Sequence, residues 1–132
     1  MRRETWPEDL HDYLLAPPPF AWGTADCCLW CADWVLKVTG VDHGAAFRGR
    51  YASDDEAYAR LREAGFSDVD ELARSILPPV AVPLAQRGDV VCGVFAGRKT
   101  LGICAGSHSA FLRQDGIEWV PTLNCIAAWS VE

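Results

Sequence analysis

The segment 20–40, FAWGTADCCLWCADWVLKVTG, constrains the fold more than any other part of the sequence. Gly23 predicts a turn, and Asp26 is a favourable N-cap residue for a helix that begins at Cys27. The residues that follow are apolar almost without interruption until Gly40, which supplies a C-terminal stop. A helix that is apolar on nearly every side lies in the middle of a fold. The segment therefore predicts one buried central helix.

Cys27 occupies the position at which a helix most favours a thiolate. Unpaired backbone N–H groups and the helix dipole stabilise a negatively charged sulfur at the first helical position. A thiolate placed there is a nucleophile. The alternative is a packing role, because free cysteine often behaves as a small buried hydrophobe. We expect packing for Cys28 and Cys31, whereas both roles stay open for Cys27.

Length, composition and charge exclude several classes of protein. With 132 residues, half of them hydrophobic, the chain predicts a single globular domain, 1–132. Its net charge of −6 argues against nucleic acid as a partner. No stretch approaches the roughly 20 apolar residues of a membrane span. The opening MRRETWPEDLHDYLL lacks the apolar segment of a signal peptide, so we expect synthesis in the cytoplasm without one.

The six cysteines are distributed unevenly along the chain, at positions 27, 28, 31, 92, 104 and 125. This clustering, without a secretory signal, favours free thiols over three disulfides. Cys28 and Cys31 form a CxxC pair, which leaves zinc as an alternative. The second half of a zinc motif is absent. We therefore expect no metal and no other cofactor.

The first part of the chain, about 1–83, carries helix signals around the central segment. Pro7–Leu15 predicts a short amphipathic helix. Ser53 is placed to cap a helix with an acidic first turn, and Ser67 or Asp68 opens another that runs through Ile76. Between them the loop FRGRY carries two arginines, which either pair with Asp26, Asp33 or a ligand carboxylate, or lie in an ordinary surface loop.

The remaining part, about 84–132, changes to β-branched and alternating patterns. Strands are predicted at 88–95, 100–106, 109–113, 117–122 and 125–131, with a hairpin turn at Gln114–Gly116. Helices first and an antiparallel meander second is the pattern of an α+β domain.

The order of several motifs resembles the NlpC-like branch of the papain-like cysteine peptidases. These motifs are the Asp-Cys pair at the start of the buried helix, then RGDVV, then LGICAG about a dozen residues later. More narrowly, FAWGTADCCLWCADWV, FRGRY, RGDVV, LGICAG and AAWSV resemble a phage and prophage group. Members of that group lie among tail genes of siphovirus-like phages and gene transfer agents. The resemblance implies a papain-like NlpC-type fold, in which N-terminal helices pack on a C-terminal antiparallel sheet.

The resemblance also assigns roles to individual residues. The family's nucleophile falls on Cys27, directly after Asp26. The family's G-D pair falls on Gly88 and Asp89, which predicts a structural turn.

The position of the family's histidine is the point of departure. Gly102 falls on the glycine of the family's H-V-G-I strand, so Thr100 stands where the family has its catalytic histidine. Threonine is not a general base near neutral pH. His108 lies six residues past Gly102, close to where the family often has a third polar residue. It would replace the base if the loop 106–109 folded back toward Cys27.

Two functions follow from this resemblance. The first is a catalytically degenerate structural protein of a phage tail tip or baseplate, located in the virion tail. Its partners would be hub, distal tail or fibre components. The second is an active cell-wall endopeptidase that cuts peptidoglycan peptide stems with Cys27 and His108. The six tryptophans of the chain suit either a core or an assembly interface.

Overall fold

The computed structural model describes all 132 residues and has the expected α+β architecture. The helices are α1 (Trp6–Leu15), α2 (Cys27–Thr39), α3 (Asp54–Glu63) and α4 (Val69–Ile76). The strands are β1 (Pro79–Val80), β2 (Val90–Phe95), β3 (Arg98–Cys104), β4 (His108–Arg113), β5 (Gly116–Pro121) and β6 (Ala127–Trp129). Short 3-10 turns lie at Val82–Leu84 and Thr122–Asn124. None of the helices has the length and apolar character needed to cross a membrane.

Helix α2 forms where its local signals place it. The Asp26 side chain accepts a hydrogen bond from the Leu29 N–H, and Gly40 ends the helix with a left-handed φ of 83°. Trp30 and Trp34 are completely buried. The prediction of a buried central helix is therefore confirmed.

The six strands form one antiparallel sheet in the order β1-β6-β2-β3-β4-β5. The run from β2 to β5 is the predicted meander. Strand β6 returns to pair with β2, and β1 pairs with β6 at the edge. The sequence does not predict β1, because the residues up to about 83 are assigned to the helical part. The chain after α4 is in fact extended along β6.

The two faces of the sheet are covered by different parts of the chain. The main core lies between the sheet and the helices, and its buried side chains include Leu10, Trp30, Trp34, Val35, Val69, Ala73, Val90, Cys92, Leu101, Ile103, Ala110 and Leu112. A smaller cluster lies on the opposite face and contains Val91, Cys104, Phe111, Cys125 and Ala128. The segment with the first 3-10 turn packs against this second cluster, because Val82 and Ala85 contact it.

The loop after α2 is attached to the helix by an ion pair. Asp33 of α2 pairs with Arg48, whose Nη2 lies 2.7 Å from Oδ1. Arg48 also contacts Asp42, and these two carboxylates hold the pKa of the guanidinium above its ordinary value. Of the alternatives for the FRGRY loop, the structure therefore shows pairing with a residue of α2.

Candidate active site

Asp26 organises the N-terminal end of α2. Its carboxylate is buried and accepts three hydrogen bonds: Leu29 N–H to Oδ1 at 3.0 Å, Gly23 N–H to Oδ2 at 3.0 Å and the Tyr51 hydroxyl to Oδ2 at 2.5 Å. None of these donors is a cation. The charge is stabilised by neutral donors and by the helix N-terminus, which favours an anion.

Gly23 brings the loop after α2 against the turn before it. Its φ is +82°, and a Cβ at this position would lie 2.1 Å from the carbonyl oxygen of Tyr51. The Gly49 N–H also donates to the Gly23 carbonyl at 2.8 Å. This close approach places the Tyr51 ring beside Asp26. Burial, and then the bond to Asp26, raise the pKa of the Tyr51 phenol, so the phenol stays protonated as a donor.

Three cysteines lie on the first turns of α2, and all six cysteines of the chain are free thiols. Cys27 is the first residue of the helix, and its Sγ lies 3.9 Å from the Sγ of Cys28. The hydrogen bond with Cys27, and then burial, raise the pKa of Cys28 well above its ordinary value. Burial does the same for Cys31. Cys28 and Cys31 are therefore neutral thiols, as expected of packing residues.

A cavity of about 570 Å³ opens beside Cys27. It lies between the helices and the end of the sheet that carries the β2–β3 and β4–β5 hairpins, and 24 of its 36 lining residues are hydrophobic. Asp26, Tyr51 and Thr100 border it together with Cys27. The structure thus brings the side chains of Asp26, Cys27 and Tyr51 to one cavity, to which Thr100 contributes from a strand position that faces the other side of the sheet.

Thr100 and Gly102 lie on β3, where the resemblance places the histidine strand. Thr100 pairs with Gly93 and Gly102 with Val91, which belongs to the core cluster on the face away from α2. Side chains alternate along a strand, so Leu101 faces α2 and Thr100 faces the other side. A Cβ at Gly102 would lie 2.6 Å from the carbonyl oxygen of Ala110, so this glycine is needed for strand packing.

His108 lies at the other end of the sheet from Cys27. It begins β4, is exposed and approaches the Ser107 hydroxyl through Nδ1 at 3.2 Å. The register pairs Cys104 with Ser109, so His108 lies opposite Ala105, beyond the end of β3 and about 17 Å along the strand from Thr100. The loop 106–109 does not fold back toward Cys27. The Thr122 hydroxyl donates to the Gly106 carbonyl at 2.7 Å and holds that loop at the far end.

The position of α2 over the sheet supports this separation. Trp34 Nε1 donates to the carbonyl of Gly88, whose N–H donates to the Cys104 carbonyl. The Cys104 end of β3 therefore lies under the second half of α2. Cys27 is two helical turns away from Trp34, or about 10 Å along the axis.

Asp89 lies in the turn before β2 and accepts three hydrogen bonds. Arg2 Nη2 lies 2.6 Å from its Oδ1, the Val131 N–H donates to the same oxygen, and the Gln86 N–H donates to Oδ2. Arg2 also donates to the carbonyl of Val131 at 2.5 Å. Asp89 thus joins both ends of the chain and does not border the cavity of Cys27.

Comparison with known proteins identifies a family. The model of a family described as a domain of unknown function, DUF6950, matches residues 1–131. The chain belongs to the DUF6950 family. No curated protein matches its sequence. Among solved structures, it is similar to the NlpC/p60 domain of the peptidoglycan hydrolase SagA, with a TM-score of 0.60, 16% identity and 96% of each chain covered. At this identity the likeness shows the fold, and the fold is that of an NlpC/p60 domain.

Two residues of this DUF6950 domain were not assigned from sequence. In the sequence Tyr51 is only the end of the FRGRY loop, whose arginines are the candidate partners of Asp26. In the structure the side chain that donates to Asp26 is the Tyr51 hydroxyl and not an arginine. Arg2 carried no signal, because its partner Asp89 is 87 residues away. No group of three or more histidine, cysteine and carboxylate side chains is arranged to hold a metal ion.

Proposed function

We propose that this chain is a structural component of a phage tail tip or baseplate that keeps the NlpC/p60 fold without a working peptidase centre. One observation carries the proposal: Cys27 Sγ has a single hydrogen-bonding partner, and that partner is the Sγ of Cys28. A cysteine peptidase needs an imidazole to accept and return the proton during acyl transfer. Removal of one member of such a unit costs several orders of magnitude in rate.

The location in a phage tail rests on the sequence. The motifs FAWGTADCCLWCADWV, FRGRY and AAWSV resemble those of the phage and prophage tail group. In such a particle the partners would be hub, distal tail or fibre proteins. Mass spectrometry of tails purified from virions should detect the chain at a fixed copy number. Its absence from purified tails would remove the tail assignment while leaving the chemistry of Cys27 to be tested separately.

The alternative function is a cell-wall endopeptidase, and the cavity beside Cys27 favours it. The helix N-terminus offers backbone N–H groups to a developing oxyanion, and the cavity of about 570 Å³ has room for a peptide segment. Cys27 would attack an amide carbonyl of a wall peptide stem, and a histidine would protonate the leaving amine. His108 would have to move from the far end of the sheet. His43 borders the same cavity but donates no hydrogen bond to Cys27.

The two functions are separated by one assay on the intact protein. Purified chain is incubated with peptidoglycan, and released peptides are measured for the wild type, Cys27→Ser and His43→Ala. We expect no release above the Cys27→Ser background. Release that Cys27→Ser abolishes would establish the endopeptidase. Its loss or retention in His43→Ala would then decide which histidine acts.

A further inference from the structure

The inner wall of the cavity beside Cys27 is closed to solvent. Cys31, Leu101 and Leu112 border the cavity, yet no more than 6% of any of them is exposed. A molecule reaches this wall only when one of the elements around the cavity moves aside. These elements include α2, α3 and α4, and they are attached to the rest of the fold to very different degrees.

Helix α3 is the most weakly attached of the three. The backbone of the segment 52–65, which contains it, forms hydrogen bonds only within itself and with Phe66. Leu61 is the one buried residue of α3, whereas α2 buries six residues and α4 buries Val69 and Ala73. The free energy of moving an element depends on the apolar contacts and hydrogen bonds that are lost. Among these helices, α3 therefore moves most easily.

The chain at each end of this segment allows such a movement. On the N-terminal side, Tyr51 is fixed by its bond to Asp26, and the exposed Ala52 follows. On the C-terminal side, Gly65 has a φ of +94°, and a Cβ there would meet nothing within 4 Å. Hinges are a few residues at the ends of an element that absorb changes in φ and ψ. Ala52 and Gly65 occupy those positions.

One side chain of the sheet joins α3 to the opposite wall of the cavity. Arg98 Nη1 lies 2.7 Å from Asp54 Oδ2, and the guanidinium lies 4.9 Å from the centroid of the Tyr58 ring. Asp54 and Tyr58 are four residues apart, so they lie on the same face of α3. The other polar contact of this face is long, since the Tyr58 hydroxyl lies 3.4 Å from Asp68. Arg98 thus provides the main polar attachment of α3.

We propose that the segment 52–65 is a hinged lid over the inner cavity and that Arg98 is its latch. Three residues of α3 complete the cavity wall in the closed state: Ala57, Tyr58 and Leu61. In the open state they move away with the helix, and Cys31 becomes accessible. Because most of the lining residues are hydrophobic, the lid controls the entry of an apolar group. This inference goes beyond the proposed function and does not depend on whether Cys27 reacts.

The first test compares two buried thiols in the full chain. Cys31 lines the cavity, whereas Cys92 is also buried but does not line it. The chain is treated briefly with N-ethylmaleimide, so that no molecule carries more than one label, and peptide fragmentation in the mass spectrometer locates each label. We expect Cys31 to be labelled at least about tenfold faster than Cys92, which becomes accessible only when the core unfolds. Equal rates would overturn the proposal.

The second test removes the latch. Arg98→Gln loses both the ion pair and the cation–π contact with Tyr58, so it should raise the labelling rate of Cys31 about tenfold. Asp54→Asn loses only the ion pair and should raise that rate about threefold. Lys99→Gln is the matched control, because Lys99 is the next residue of β3 and pairs with α4. It should leave the labelling rate of Cys31 unchanged.

The rate at Cys92 shows whether Cys31 is exposed by lid opening or by global unfolding. The Arg98 contacts are lost in both processes, whereas the pair of Lys99 with α4 is lost only in unfolding. We therefore expect Arg98→Gln to raise the rates at both thiols. Lys99→Gln should raise the rate at Cys92 alone. A Cys31 rate that is unchanged in Arg98→Gln, or that rises equally in both variants, would overturn the lid.

Discussion

Asp26 and Asp89 are both buried carboxylates that accept three hydrogen bonds each, but their donors differ in charge. Asp89 receives a guanidinium, from Arg2, together with two backbone N–H groups. Asp26 receives two backbone N–H groups and a phenol. A buried carboxylate paired with a cation leaves an uncompensated charge when either partner is removed. A carboxylate held by neutral donors depends on the precise placement of each one.

Asp89 and Asp26 also differ in which parts of the chain they connect. Asp89 connects residues that are far apart in sequence, Arg2 and Val131, so it closes the fold. Asp26 connects the first turn of α2 with the turn before it and with Tyr51, so it shapes the surroundings of Cys27. Asp89 thus contributes to the stability of the whole fold, whereas Asp26 orders only the N-terminal end of α2. Five predictions test that contrast, in order of decreasing effect.

Asp89→Asn should give the largest loss of stability. It leaves the largely buried Arg2 guanidinium without its anion, and breaking a buried pair costs about 3–5 kcal/mol. Urea unfolding measures the change in the free energy of unfolding. Asp54→Asn is the control, because Asp54 pairs with Arg98 at the surface and such pairs contribute less than about 1 kcal/mol. Equal losses for the two variants would show that Asp89 does not close the fold.

Gly23→Ala should be the next most damaging change, at about 3 kcal/mol or more, because it adds a backbone collision to an unfavourable φ. Gly40→Ala is the control that separates the cost of the collision from the cost of the left-handed φ. Gly40 has nearly the same φ, +83°, but a Cβ there meets nothing within 4 Å. It should cost only about 1–2 kcal/mol, the penalty of the left-handed conformation. If both alanines cost the same, the contact between Gly23 and the Tyr51 carbonyl is not tight.

Tyr51→Phe removes the phenol that donates to Asp26 and should cost about 1.5–3 kcal/mol, the range for hydrogen bonds to charged groups. Tyr58→Phe is the matched control. Its hydroxyl lies 3.4 Å from Asp68, a long and partly exposed contact that should contribute less than about 1 kcal/mol. Chemical denaturation of both variants gives the comparison. A Tyr51→Phe loss no larger than that of Tyr58→Phe would remove Tyr51 from the support of Asp26.

Stability should fall as the pH rises above about 9, where the buried thiols of Cys28 and Cys31 begin to contribute, and further above about 10 because of two buried tyrosines. Burial raises the pKa of both Tyr13 and Tyr51 in the folded state, so the unfolded chain loses these protons first and binds fewer of them. The free energy of unfolding then declines with pH, by up to about 1.4 kcal/mol per pH unit for each group. Tyr51→Phe should flatten this slope, measured by urea unfolding between pH 9 and 12. An unchanged slope would mean that Tyr51 titrates equally in both states.

Local signals were sufficient for α2, and long-range contacts were not accessible from sequence. An N-cap aspartate, an apolar run and a terminal glycine are all signals that lie within the helical segment. Asp26 and Gly40 therefore mark the ends of α2 correctly. The return of β6 to pair with β2 depends on packing across the sheet, so the sequence indicated a meander and missed β1. The partner of Asp26 was sought among arginines because charge is visible in a sequence. The approach of Tyr51 to Asp26 depends on the backbone conformation at Gly23, which the sequence does not show.

The smallest effect is expected from His108→Ala on the reactivity of Cys27. His108 is exposed at the far end of β4 and contacts Ser107, so its loss should change the rate of Cys27 alkylation by less than about twofold. Cys28→Ala should slow that alkylation more, because the Cys28 thiol is the one hydrogen-bonding partner of the Cys27 sulfur. Peptide mass spectrometry after timed iodoacetamide treatment resolves Cys27 from the other thiols. A large effect of His108→Ala would mean that β4 approaches α2 in solution, and the endopeptidase would then become the favoured function.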